Sequence, residues 1–423
     1  MYEVNGNKVI MDYLDNVHFT VWCNPVDIDV KVSVDDSALP AMTRLVTVEK
    51  VVFNGCMVPR GTYYDALKAF NITVSKKLLL QLHAEAKLEK NHLRGLQISN
   101  LEITAVEPSN PPRPSYDYLN EVPGLITLKL TDVEPEPKAL MELPTTIETL
   151  NFVRLKLPVA EKALRNDSNI SPPWLERLHS LRSLYLVESS ADAAEYPRSV
   201  TPPRLATLTN LTSAAFYHIP FDTDGLSSWL KSSALKNLAL VACGLSELPE
   251  SMFEGTNLTK INLTYNNLTS LPDFVFSPLQ LSLRELDLSN NKLNNTPLQR
   301  TVQSLKHLET LKVNNNPLGS LCGGGEFIQA TKSSSYLPKS LRRLELSKTH
   351  ATRICSDWVE NNALMHINLD HNDIGDLTYS DLAMKRKSNE TAASPVWLNL
   401  KNNPLRYIEV LRSDLKQCLA DAS

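Results

Sequence analysis

Few residues in this chain have the types and spacing needed for bond-making chemistry. The run Gly323-Gly324-Gly325-Glu326-Phe327 lacks the Lys-Ser/Thr of a phosphate-binding loop and reads as a turn. His366 and His371 stand five apart around a predicted strand, where side chains alternate in direction, so they are expected on different sides and no metal site is assigned. Met384-Lys385-Arg386-Lys387 is too short to read as a nuclear address and is taken as a solvated loop. No nucleophile, base and acid fall into a catalytic pattern. The chain is therefore read as not an enzyme, with no cofactor.

What remains is the chemistry of modification and cross-linking. Asn-x-Ser/Thr acceptors occur at Asn71, Asn166, Asn169, Asn210, Asn257, Asn262, Asn267, Asn294 and Asn389. The six cysteines include no Cys-x-x-Cys pair. A formal net charge of −4 leaves no electrostatic footprint for nucleic acid or for an anionic membrane, so neither is an expected partner. No apolar run is long enough for a transmembrane helix, and residues 1–19 have neither the basic nor the apolar part of a secretory leader. The chain therefore either stays inside the cell or begins after its leader.

The elements that position these residues come from a repeat. Leu258, Ile261, Leu263, Asn266 and Leu268 recur as Leu283, Leu286, Leu288, Asn291 and Leu293, and Leu248 to Phe253 (LPESMF) recurs as Leu271 to Phe276 (LPDFVF). The eleven-residue template is LxxLxLxxNxL. It can be laid down from Val48, Leu93, Leu125, Ile147, Leu181, Leu211, Leu235, Leu258, Leu283, Leu308, Leu341 and Leu364, with a last copy holding Leu398, Leu400, Asn403 and Leu405. That makes about thirteen units, degenerate before residue 181. Between Val48 and Leu93 there is room for a helix or a further unit around Leu67, Phe70 and Ile72. The stretch 107–124, between Ile103 and Leu125, is too proline-rich for a helix and is read as an extended loop on the convex side; further inserts at 160–173, 191–203, 323–338 and 378–395 also fall outside the short strands.

Alternation of leucine with other residues predicts a short strand with one buried face. The template Asn is expected to turn inward and bond backbone groups of its own and the adjacent unit. Cys56 and Cys243 occupy that inward site and are expected as small buried thiols. Residues 1–44, with alternation over Val26 to Val34, are read as an N-terminal cap, 45–405 as the solenoid, and 406–423 as a C-terminal cap remnant or juxtamembrane segment.

With these motifs the chain resembles the leucine-rich repeat proteins over Val48 to Leu405, most specifically from Leu235 to Leu318. LPESMF and LPDFVF are similar to the subclass found in many receptor ectodomains, in which the phenylalanines, here Phe253 and Phe276, pack the convex side. The resemblance implies an α/β solenoid: a horseshoe with a concave parallel β-sheet and convex loops, turns and short helices, used for binding other molecules. Two departures stand out. Cysteine-rich caps are absent, with Cys23 and Cys418 alone near opposite ends, and no transmembrane helix follows the repeats before Ser423.

Aligned repeats put Cys322 and Cys355 in equivalent places. Strands about 4.8 Å apart bring equivalent side chains within disulfide reach, so a Cys322–Cys355 bridge is expected, with two unpaired thiols as the alternative. That bridge and the acceptor asparagines favour an extracellular or cell-surface location over a cytoplasmic one.

Residues alternating with the strand leucines face solvent. The two positions flanking the second strand leucine give Tyr185 and Val187, then Tyr217, then Val241, as an apolar, aromatic patch. Asn262, Asp287, Lys312, Glu345 and Asn368 follow as a polar and charged track. The patch has the composition of a binding hot spot for a protein or peptide ligand, with the track giving specificity; coverage of the patch by inserts or by the cap is the alternative. The expected function is a non-catalytic ligand-recognition module, the outer part of a secreted or membrane-anchored receptor. Membrane attachment would come only through segments absent from this chain. The alternatives are an intracellular scaffold or regulatory subunit, and the ectodomain of a receptor-like kinase whose catalytic domain lies elsewhere.

Overall fold

Each repeat makes one short strand because two apolar side chains, separated by one residue, must leave water on the same side. The computed structural model describes residues 2–4, 7–15, 18–23, 44–56, 61–83, 88, 91–106, 117–133, 140–154, 173–188, 205, 207–221, 223–226, 229–231, 233–294, 298, 301–302, 304–319, 337–354, 363–377 and 397–408. These form two units, Met1–Ala214 and Ala215–Ser423.

The first unit opens with β1 (Tyr2–Val4), β2 (Asn7–Asp15) and β3 (His18–Cys23), paired antiparallel. The strand expected at Val26 to Val34 lies outside the described residues. From β3 onward every pairing in the unit is parallel: β4 (Val46–Asn54), β5 (Ile72–Leu82), β6 (Asn100–Ala105), β7 (Thr127–Thr131), β8 (Thr149–Val153) and β9 (Ser183–Val187). The register stacks like on like, with Val51, Leu78, Leu101, Leu128, Leu150 and Leu184 opposite one another in turn, all buried.

This register corrects one sequence assignment. Leu101 is not the inward turn residue of a copy beginning at Leu93; it is a strand leucine, paired with Leu78 and Leu128. Leu93, Leu96 and Ile98 mimic the template because they are buried in the turn just before the strand. The space between Val48 and Leu93 holds both a helix and a unit: α1 (Tyr63–Ala69), then β5. Thr62 starts α1 through a capping box with Asp65, each side chain closing the other's backbone N–H at 2.9 and 3.2 Å.

In the second unit β10 (Ser213–Tyr217), whose first two residues precede the boundary, leads to β11 (Asn237–Val241), β12 (Lys260–Asn262), β13 (Glu285–Asp287), β14 (Thr310–Lys312), β15 (Arg343–Glu345) and β16 (His366–Asn368). Next come β17 (Asp376–Leu377), β18 (Trp397–Asn399) and β19 (Tyr407–Ile408). Strands β11 to β16 and then β18 are parallel and in register, stacking Leu238, Ile261, Leu286, Leu311, Leu344, Ile367 and Leu398. Strands β17 and β19 pair separately. Behind the sheet Phe253 and Phe276, fully buried, stack with centroids 5.2 Å apart and planes 25° off parallel.

The template asparagines are the polar spine. Asn266 donates from Nδ2 to the carbonyls of Leu240, one coil back, and Leu263, in its own coil, at 2.7 and 3.0 Å. Its Oδ1 accepts the N–H groups of Cys243 and Leu245, again one coil back, at 2.9 and 3.2 Å. Asn291, Asn316, Asn372 and Asn403 repeat this pattern, and Thr349 stands in once, its N–H held by Asn372. The residue before each of them is left-handed, with φ of 53–60° at Tyr265, Asn290, Asn315, Lys348, His371 and Asn402. Its N–H can then reach the next coil, as Lys348 reaches the Asp370 carbonyl at 3.0 Å.

Candidate interaction surface

Three rows of side chains, at the third, fifth and seventh template positions, line the open face of the second unit's sheet. The third-position row, from Asn237 through Lys260, Glu285, Thr310, Arg343 and His366 to Trp397, escaped the sequence reading, which counted only the residues flanking the second strand leucine. The signal was present in the alternation: xLxLx turns three residues outward, not two.

Two charged clusters occupy this face. In the first, Glu285 sits between two lysines, with Lys312 Nζ 3.1 Å from Oε1 and Lys260 Nζ 3.2 Å from Oε2; Lys312 also reaches Asp287 Oδ2 at 3.7 Å. Burial pushes the Glu285 carboxyl up, but the hydrogen bonds from Lys312 and Lys260 outweigh it and hold it below its ordinary value.

The second cluster is centred on Glu345, which is buried. Its Oε1 accepts from Arg343 Nε at 2.7 Å and lies 2.9 Å from His366 Nε2, and its Oε2 accepts from Asn368 Nδ2 at 2.8 Å. A carboxylate only accepts, so the proton of the neutral imidazole sits on Nε2. His366 lies flat on Trp397, centroids 4.1 Å apart and planes 12° off parallel, and Trp397 remains 48% exposed. Burial of the imidazole, with Arg343 adding to it, keeps His366 below its ordinary value against the pull of Glu345.

Several track residues also have a local backbone task. Asn262, Asp287 and Asn368 each accept, through Oδ1, the N–H of the residue two further on, at 3.0–3.2 Å, closing the backbone as the chain leaves the strand. Their residue type is thus set in part by the turn. Lys312 and Glu345 have no such duty; Asn314, from the neighbouring coil, serves Ser347 instead, at 2.7 Å.

The expected aromatic patch divides between the units. Tyr185 and Val187 lie half-buried on β9 of the first unit; Tyr217, half-buried on β10, and Val241 on β11 belong to the second. Val241 is only 8% exposed and offers little surface.

His366 lies on the open face, while His371, exposed in the following turn, has Nδ1 2.8 Å from Asp370 Oδ2. Among the described residues no group of three or more His, Cys, Asp or Glu is placed to hold a metal ion.

Cys243 is a buried free thiol, pushed by burial up to about 12. Cys56, expected as a free thiol, is buried but disulfide-bonded, its partner lying outside the described side chains. The inward position suits a half-cystine as well as a thiol, and composition does not separate the two. Cys322 and Cys355 lie outside the described residues, as do Asn166, Asn169, Asn389, the glycine run and Met384 to Lys387. Asn257, Asn267 and Asn294 are exposed, as is Asn210, whose Nδ2 donates to the His179 carbonyl at 2.8 Å. Asn71 and Asn262 are half-buried, Asn71 in a left-handed turn after α1. Among the described residues no helix is long and apolar enough to cross a membrane.

Residues 233–293 and 256–318 match the sequence profile described as leucine rich repeat. Transforming growth factor beta activator LRRC33 of Danio rerio is 26% identical over 305 residues, 64% of this chain and 40% of that protein. Volume-regulated anion channel subunit LRRC8D of Rattus norvegicus is 23% identical over 252 residues, 60% of this chain and 27% of that protein. The chain thus spans less than half the length of either relative. In fold it is similar to the glycosylated form of the Drosophila Toll–Spatzle complex, with a TM-score of 0.59 at 19% identity, over 95% of this chain and 57% of that one. Repeating coils, a parallel in-register sheet, an inward asparagine spine and these likenesses lead to one conclusion: the chain has the leucine-rich repeat fold, and residues 233–318 carry leucine-rich repeat sequence.

Proposed function

We propose that the chain is a non-catalytic recognition module that binds a protein or peptide through the open face of its second unit, as the outward part of a secreted or cell-surface protein. The observation that carries this is the half-exposed Trp397, stacked on His366 and bordered by the Glu345 network. An aromatic anchor beside ordered polar groups is the usual make-up of a binding hot spot. Because those polar groups are already held by one another, a ligand need not order them. The disulfide at Cys56 supports an oxidising compartment over the cytoplasm, and the exposed acceptors Asn257, Asn267 and Asn294 are placed to carry glycans there. The relative named as a growth factor activator and the Toll complex with Spatzle support a protein ligand.

A photo-crosslinking residue placed at Trp397 tests the reading, with the same residue at Phe274, exposed and away from the face, as the control. A defined partner cross-linked from 397 and not from 274, whose affinity for the purified chain falls about tenfold or more with Trp397→Ala, is the expected result. Equal cross-linking from both positions, with unchanged affinity, overturns it.

A further inference from the structure

We infer that the open face of the second unit selects an acidic peptide segment with an aromatic or aliphatic side chain about three residues from its carboxylate. The inference rests on the binding role proposed above and specifies its ligand. It starts from an asymmetry: among the described ion pairs the cation is never the more buried partner. On this face the Lys260 side chain is 62% exposed over Glu285 at 31%, and Arg343 is 52% exposed over Glu345 at 8%. The carboxylates lie below, already neutralised, and the cationic ends project. A chain of net charge −4 therefore presents positive ends on this face. Asp370 follows the same pattern, 25% exposed under His371 at 49%, and also accepts from Asn402.

Spacing supplies the rest. Arg343, His366 and Trp397 occupy the same position on three successive strands, so Arg343 and Trp397 stand two strand spacings apart, about 10 Å. An extended peptide crossing the strands covers that distance in about three residues. Lys260 lies three spacings to the other side of Arg343, about 14 Å away, within reach of a second acid. A nucleic acid strand fits less well, because its closely spaced phosphates would meet Glu285 and Asp287 between the two exposed cations.

The test uses the full chain and fluorescent twelve-residue peptides in a Gly/Ser background: one with Glu three residues before Phe, one with Lys for Glu, one with Ala for Phe, and a single-stranded twelve-nucleotide DNA. The Glu–Phe peptide should bind best and more tightly at low salt. It should lose about tenfold with Trp397→Ala and about threefold to tenfold with Arg343→Gln. Lys260→Gln, at an exposed site that leaves the Glu345 network intact, should weaken a peptide carrying a second acid, and thermal melting confirms the fold of each variant. Equal binding of the Lys peptide, or tighter binding of the DNA, overturns the inference. If a protein partner cross-links through Trp397 but no acidic preference is found, the ligand chemistry is wrong and the binding role stands. If no open-face variant affects any partner, both fall.

Discussion

The side-chain oxygen of Asn266 accepts the backbone N–H of Cys243 at 2.9 Å, so the turn of one coil is closed by a side chain of the next. The same oxygen also accepts the N–H of Leu245 at 3.2 Å, and this second bond recurs from the Leu268 N–H to Asn291 and from the Leu293 N–H to Asn316. Replacing Asn291 by Ala leaves the Leu268 N–H and the Leu263 and Leu288 carbonyls without these partners in a dry interior. The expected loss is about 2–4 kcal/mol, read from the urea midpoint of the variant against the parent.

Lys348 holds φ at 56°, where a side chain other than Asn or Asp is disfavoured, and its own side chain is exposed. Lys348→Asn should stabilise the chain by about 0.5–1 kcal/mol, seen as a rise in Tm. Asn290→Lys, the reverse change at an equivalent place with φ of 58°, should lower it.

His366 titrates below its ordinary value when folded, so the unfolded chain takes up the proton first as pH falls. Stability is then full above about pH 6.5 and declines as pH drops through the folded value. Glu285, also held low, adds a second decline below its unfolded value of about 4.5. Tm measured from pH 7.5 to 5 should fall in the parent and stay flatter in His366→Gln. Trp397→Ala should raise the titration midpoint of His366, followed by NMR of its ring protons, because much of its burial is the stack.

Phe276 is fully buried against Phe253. Phe276→Ala should cost about 3–5 kcal/mol, while Phe276→Leu, which fills most of the space, should cost less than half of that by the same urea titration.

Where strand period and turn chemistry agree, the sequence reveals the coil closely: Leu258, Ile261, Leu263 and Asn266 have the burial and bonds their spacing implies. It misled at Leu93, because buried turn leucines have the same short spacing as strand leucines, and only pairing separates them. The state of Cys56 was hidden because a thiol and a half-cystine occupy the same small inward site. The face was half legible. Asn262 and Asp287 were recognised as outward, but their side chains also serve the backbone, and the Glu345–His366–Trp397 arrangement joins residues from three coils that no local pattern links.

The asparagine spine has a direction. Asn266, Asn291, Asn316, Asn372 and Asn403 all reach toward the coil made earlier in the chain. During synthesis each coil therefore leaves the ribosome with its turn still open and is sealed only when the following coil arrives, so growth advances as a ratchet with one unfinished tooth. Under tension the order reverses: peeling a coil away from the C-terminal side unlatches the one before it, and the solenoid yields one coil at a time.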